Sequence, residues 1–86
     1  MAIKTFRTLI DNTAYTLIKG NCTVIGITES KVGQIRVVVT DVGDTVPDIG
    51  EADYIEFDEN YQRILSAGDV YMMSPSGPAW VMGEAE

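Results

Sequence analysis

Short runs rich in Val, Ile, Thr and Tyr recur along this chain, each closed by Gly, Pro, Asn or Asp, and this punctuation constrains the fold more than any other feature. The runs Thr5–Ile10, Thr23–Thr28, Gln34–Thr40 and Val70–Met73 suit a pleated, half-buried surface, because β-branched and aromatic side chains pack well on a sheet. Turn signals fall roughly every 8–12 residues, the spacing of a sandwich or small barrel. The expected fold is all-β, a small antiparallel β-sandwich or jelly-roll-like barrel of roughly seven or eight strands, since two layers are the smallest arrangement that buries one face of each strand.

The pattern predicts a first strand over Ile3–Ile10, with Ile3, Thr5, Arg7 and Leu9 on one face and Lys4, Phe6, Thr8 and Ile10 on the other. Asp11-Asn12 opens a turn, Ala14–Ile18 forms a second strand, and Lys19-Gly20-Asn21 turns the chain back into a third strand over Asn21–Thr28. A polar turn at Glu29–Gly33 leads to a central strand over Gln34–Thr40, where Ile35, Val37 and Val39 share one face and Arg36, Val38 and Thr40 the other. After a loop over Asp41–Asp53 come a short strand at Tyr54–Phe57 and an extended piece at Tyr61–Leu65. Ser66–Asp69 connects that piece to Val70–Met73, and the last strand is Ala79–Met82. Only Asp58–Ala67 could be bent into two helical turns, and its apolar pattern is weak. One domain over residues 1–86 is expected, with a flexible tail at 83–86.

At 86 residues the core is small, yet 45% of the side chains are hydrophobic. Such a body gains by burying apolar surface against a partner or a copy of itself, so a homo-oligomer is expected. Phe6, Tyr71, Trp80 and Met82 are the candidate contact residues: aromatic rings bury broad flat areas at interfaces, and thioethers adapt to irregular surfaces. Thirteen acids against six bases give a net charge of -7, a field that repels phosphate backbones and argues against direct nucleic-acid binding. The single Cys22 excludes an intrachain disulfide and suits a small buried hydrophobe. No apolar run approaches the roughly 20 residues of a membrane helix, and Met1–Thr5 has no signal-peptide core, so synthesis in the cytoplasm without membrane association is expected.

Chemistry has little to work with here. Without His and with one Cys, neither a soft-metal site nor a Ser-His-Asp or Cys-His relay can form within one chain. Gly43, Gly50, Gly68 and Gly77 are isolated and build no phosphate-binding loop. The sharpest local anomaly is acidic. Asp41, Asp44, Asp48, Glu51, Asp53, Glu56, Asp58 and Glu59 follow one another with no Lys or Arg between them. Carboxylates at Asp41, Asp44, Asp48, Glu51 and Asp53 could close around a hard cation or dock a basic surface, although the spacing is not that of an EF-hand. The simpler reading is a solvated loop whose Asp residues cap turns. A hydrolase would need a sugar-wide cleft with two rigid carboxylates, which this body is too small to supply. Tyr54, Tyr61 and Trp80 could form a carbohydrate-binding platform, as in an adhesin module, or could simply be core and interface. No enzyme activity and no cofactor are expected.

The stretch Ala14–Glu84 resembles a group of small tailed-phage virion proteins of the head-decoration and head-fibre type. The resemblance is carried by Arg36–Asp41, Pro47-Asp48-Ile49-Gly50, Tyr54–Phe57, Gly68-Asp69-Val70-Tyr71-Met72, Ser76-Gly77 and Ala79–Glu84. It covers strand-and-turn signatures rather than a catalytic motif. It implies a small β-sandwich or barrel that works as a structural subunit of the virion, typically a trimer seated on the phage major capsid protein or another virion protein. The segment Phe57–Tyr61 and the methionines depart from that group's usual polar filling, which leaves a tail or baseplate position as the alternative to the head.

Overall fold

The computed structural model describes residues 4–30, 35–57 and 62–86. Six strands occupy most of them: β1 (Lys4–Ile10), β2 (Thr16–Ser30), β3 (Ile35–Thr40), β4 (Ile55–Phe57), β5 (Gln62–Met73) and β6 (Ala79–Ala85). Every pairing is antiparallel, and the hydrogen-bonded order is β1-β6-β2-β5-β3-β4. The all-β expectation holds, and among the described residues there is no helix.

The sheet covers itself. Ile35, Val70, Met72 and Val81 are 0% exposed, which a flat single layer with no helix above it could not achieve. Instead β1 and β6 form one antiparallel layer and β2-β5-β3-β4 the other. The far half of β2 joins them by pairing with β6 from Ile25 to Ser30. Ile10, Ala79, Val81 and Ala85 from the first layer meet Ile35, Val37, Val70 and Met72 from the second in one cluster, with Phe6 and Ile18 packed beside it. Among the described residues β1 and β4 do not pair with each other, and no barrel closure is seen.

The strand count differs from the expectation for a specific reason: one predicted reversal and one predicted connection lie inside strands. Lys19-Gly20-Asn21 does not turn the chain back but forms a bulge in β2, with register shifts against β5 from Leu17 to Val24. Asn21 takes the left-handed conformation expected of a turn residue, at φ 49°. Its N–H is drawn out of the ladder by Asp69, whose Oδ1 accepts it at 2.9 Å. A bulge bends and twists its strand; beyond this one β2 stays paired with β5 as far as Ile27 and takes up β6 on its other side from Ile25 to Ser30. Ser66–Asp69, the expected connection, is likewise continuous strand within β5. Gly68 is there because of close approach: a Cβ at this position would be driven into the backbone carbonyl oxygen of Thr40 on β3.

Two smaller differences follow the same logic. Gly83, Glu84 and Ala85, expected in a tail, extend β6 and pair with β1 and β2 on its two sides. The turn expected at Glu29–Gly33 begins inside β2, and its later residues lie outside the described set, as do Asp58, Glu59 and Tyr61. The weak helical option over Asp58–Ala67 is strand from Gln62 onward.

Replacing Gly68 by Ala should destabilise the fold by about 2–3 kcal/mol, the usual cost of overpacking against unyielding backbone. Asp69→Asn, which puts an amide donor among two N–H groups, should cost about 1.5–3 kcal/mol, the range for hydrogen bonds to a charged group. Urea unfolding followed by circular dichroism measures both. Wild-type stability in either variant would contradict the packing described here.

Candidate functional site

Two surfaces are built from the residues singled out above, one at each sheet edge. The first is the outward face of β1 and β6. Alternation along β6 sends Ala79, Val81, Gly83 and Ala85 inward, all buried, and Trp80, Met82 and Glu84 outward. The register sets Leu9 opposite Trp80 and Arg7 opposite Met82. The Arg7 guanidinium lies over the Trp80 ring, 4.1 Å from its centroid, a cation–π contact that holds both side chains against the sheet. Leu9 remains 51% exposed and Trp80 38%. Beside them Thr5, Phe6, Arg7, Met82, Gly83 and Glu84 line an open hollow of about 620 Å³.

Two of the four candidate contact residues, Trp80 and Met82, therefore share this face, and Phe6 lies on the opposite side of β1. Trp80 is exposed, while Phe6 and Met82 are half-buried, Phe6 turning toward the core. Tyr71 is corrected: it lies inside, in a second cluster with Tyr15, Val38 and Met73. The run Val70–Met73 is buried on both faces because the main core covers one side and this second cluster the other.

The second surface is the acidic loop between β3 and β4. Asp41, Asp44, Asp48 and Asp53 are exposed and Glu51 is half-buried. Two turns shape the loop, closed by backbone rather than side chain. The carbonyl of Asp41 accepts the N–H of Asp44 at 3.1 Å, and that of Asp48 accepts the N–H of Glu51 at 2.9 Å. Glu51 Oε1 accepts the N–H of Asp53 at 3.0 Å. Gly43, at φ 88°, takes the left-handed corner of the first turn and donates its N–H to Asp69 Oδ2 at 3.1 Å. That bond pins the loop's start to β5. Val38, Thr40, Val46, Pro47 and the acids Asp44, Asp48 and Glu51 surround a shallow hollow of about 430 Å³. Among the described residues no three His, Cys, Asp or Glu side chains come close enough together to hold a metal ion.

Arg36 sits where this surface meets β4. Its Nε is 3.5 Å from Glu56 Oε2, an ion pair too long for a hydrogen bond. Its guanidinium lies 4.6 Å from the centroid of the Tyr54 ring. Behind it, Tyr15 is 4% exposed, and among the described residues its phenol oxygen has no hydrogen-bond partner. Burial, the largest influence, raises the Tyr15 pKa above the usual tyrosine value, against a smaller lowering by Arg36. Trp80 and Met82 were marked by side-chain type, an aromatic ring and a thioether. No comparable signal marked Arg36 and Arg7, whose roles depend on the aromatic rings set beneath them.

No protein-family model, curated protein or solved structure matches this chain.

Tyr15→Phe should leave stability at pH 7 within about 1 kcal/mol of wild type, because the hydroxyl it removes is buried and, among the described residues, unpaired. The variants should separate in alkali. The folded state favours the neutral phenol, so wild-type stability is complete below the unfolded tyrosine pKa of about 10 and is lost as pH rises past it. Thermal melts across pH 7–11 should show a shallower decline in Tyr15→Phe, and parallel curves would contradict the burial described.

Proposed function

We propose that this chain is a non-enzymatic structural subunit of a bacteriophage particle, a capsid decoration or cement protein that binds the assembled shell as a homo-oligomer and stabilises it. In this reading the subunit is a small antiparallel β-sandwich or jelly-roll-like barrel. The observation that carries it is the outward face of β1 and β6, where Leu9 and Trp80 stay exposed and present apolar surface to a partner. A subunit that binds only the assembled lattice stabilises that lattice by mass action. An apolar patch of this kind, rimmed by Thr5, Arg7 and Glu84, is the sort that a protein partner covers. The loop acids Asp41, Asp44 and Asp48 are exposed to solvent and lie off this face.

The aromatics favour this reading over a carbohydrate-binding module. A sugar platform needs open ring faces, and each of Trp80 and Tyr54 has an arginine laid over one face. Tyr61 lies outside the described residues.

Purified virions of a phage that encodes this chain should contain it in fixed ratio to the major capsid protein. Particles stripped of it should release their DNA at lower temperature, and Trp80→Ala should weaken rebinding. Density on the tail or baseplate in electron cryo-microscopy would move the subunit there. Absence from the particle, with binding to a glycan array that Trp80→Ala abolishes, would replace the proposal with the adhesin reading.

A further inference from the structure

Among the described residues, the two sheet edges that lack a neighbouring strand, β1 and β4, carry opposite charge. β1 has Lys4 and Arg7 and no acid, whereas the segment entering and forming β4, Asp53–Phe57, has Asp53 and Glu56 and no base. Among the described residues Arg7 has no carboxylate partner. Each edge also leaves a large apolar side chain uncovered, Leu9 at 51% and Ile55 at 56%.

Strand direction and face both allow these edges to meet. Every neighbour along β1-β6-β2-β5-β3-β4 is antiparallel, so β1 and β4 run in opposite directions. Laid side by side between two copies, they continue the sheet as an antiparallel ladder. Arg7 stands opposite Met82, on the face turned away from Val81 and the main core. Glu56 stands opposite Arg36, which is itself opposite Met73 of the second cluster, again the face turned away from the main core. A continued sheet therefore brings Arg7 and Glu56 to the same surface. The symmetric alternatives do not share this fit. β1 against β1 opposes Lys4 and Arg7 to their own copies, and β4 against β4 opposes acids to acids; like charges across strands destabilise pairing.

We infer that β1 of one copy pairs with β4 of a second copy, main chain to main chain, with Arg7 set against Glu56. Edge addition of this kind draws affinity from the ladder and selectivity from the side chains along it. Glu56 retains acceptor capacity for the contact, since its approach to Arg36 at 3.5 Å is not a hydrogen bond. The short length of β4 limits the ladder, so the contact is concentration-dependent rather than obligate. The inference rests on the self-association in the proposed function and not on the assignment to a particle.

Sedimentation velocity on the full chain, over a concentration series, reads assembly above the 9.4 kDa subunit. Arg7→Glu and Glu56→Lys should each raise the dissociation constant about tenfold, as attraction across the strands becomes repulsion. An equimolar mixture of the two should assemble like wild type, because each copy then meets an edge of opposite sign. Lys4→Glu leaves Arg7 on Trp80 and should weaken assembly in the same direction, so the inference stays testable if circular dichroism shows Arg7→Glu misfolded. Unchanged assembly in Glu56→Lys, or a mixture that fails to recover, overturns the edge pairing while self-association stands. A chain that stays at subunit mass at every concentration overturns both. Neither result touches the particle assignment, which virion composition reads separately.

Discussion

One carboxylate holds three parts of this molecule in register. Asp69, 7% exposed on β5, accepts the N–H of Asn21 from the bulge of β2 and the N–H of Gly43 from the start of the acidic loop. A buried carboxylate is costly unless its oxygens are satisfied. Here each oxygen receives one backbone N–H, and charge-assisted bonds of this kind are the stronger ones. The far half of β2 pairs with β6, and the two layers meet face to face over Val70, Met72 and Val81. The anchored loop lies beside Val38 and Thr40 at the end of β3. Fold and acidic surface thus share a single fixing point.

Alternation made the fold class legible, together with the two faces of β3: Ile35 and Val37 enter the main core while Val38 enters the second cluster. Val39 was placed with Ile35 and Val37 by period two, but it is exposed at the strand's end. The errors have one cause. Gly20-Asn21 and Gly68-Asp69 carry the chemistry of a reversal, and the same chemistry serves a bulge or a close crossing of strands. What decides between them is distant in sequence: the Asp69 carboxylate for Asn21, the Thr40 carbonyl for Gly68. Local residues can mark such a point without saying which use it has.

The candidate contacts were legible to the same depth. Trp80 and Met82 were picked out by side-chain type, and the alternation of β6 in the structure sets them on the opposite face from Ala79 and Val81. Along Val70–Met73 there was no alternation to read. A continuous apolar run means that both faces are covered, and Tyr71 could be assigned only once the second cluster was known. The arginines were hidden for a different reason. Arg7 and Arg36 act by lying flat on Trp80 and Tyr54, which a planar guanidinium does better than a lysine ammonium. In each case the aromatic ring turns an exposed cation into part of the packed surface.

The register that joins Lys4 to Ala85 also bears on how quickly this fold can form. Local hairpins close over a few residues, but the β1–β6 ladder closes over nearly the whole chain, and its loop entropy must be lost before any of its contacts form. Topologies dominated by such distant pairings fold in milliseconds to seconds rather than microseconds. Until that ladder closes, β6 lacks β1 along one side, with Trp80 beside the gap. The interval before closure is thus when a crowded population of nascent chains is most exposed to pairing with the wrong strand.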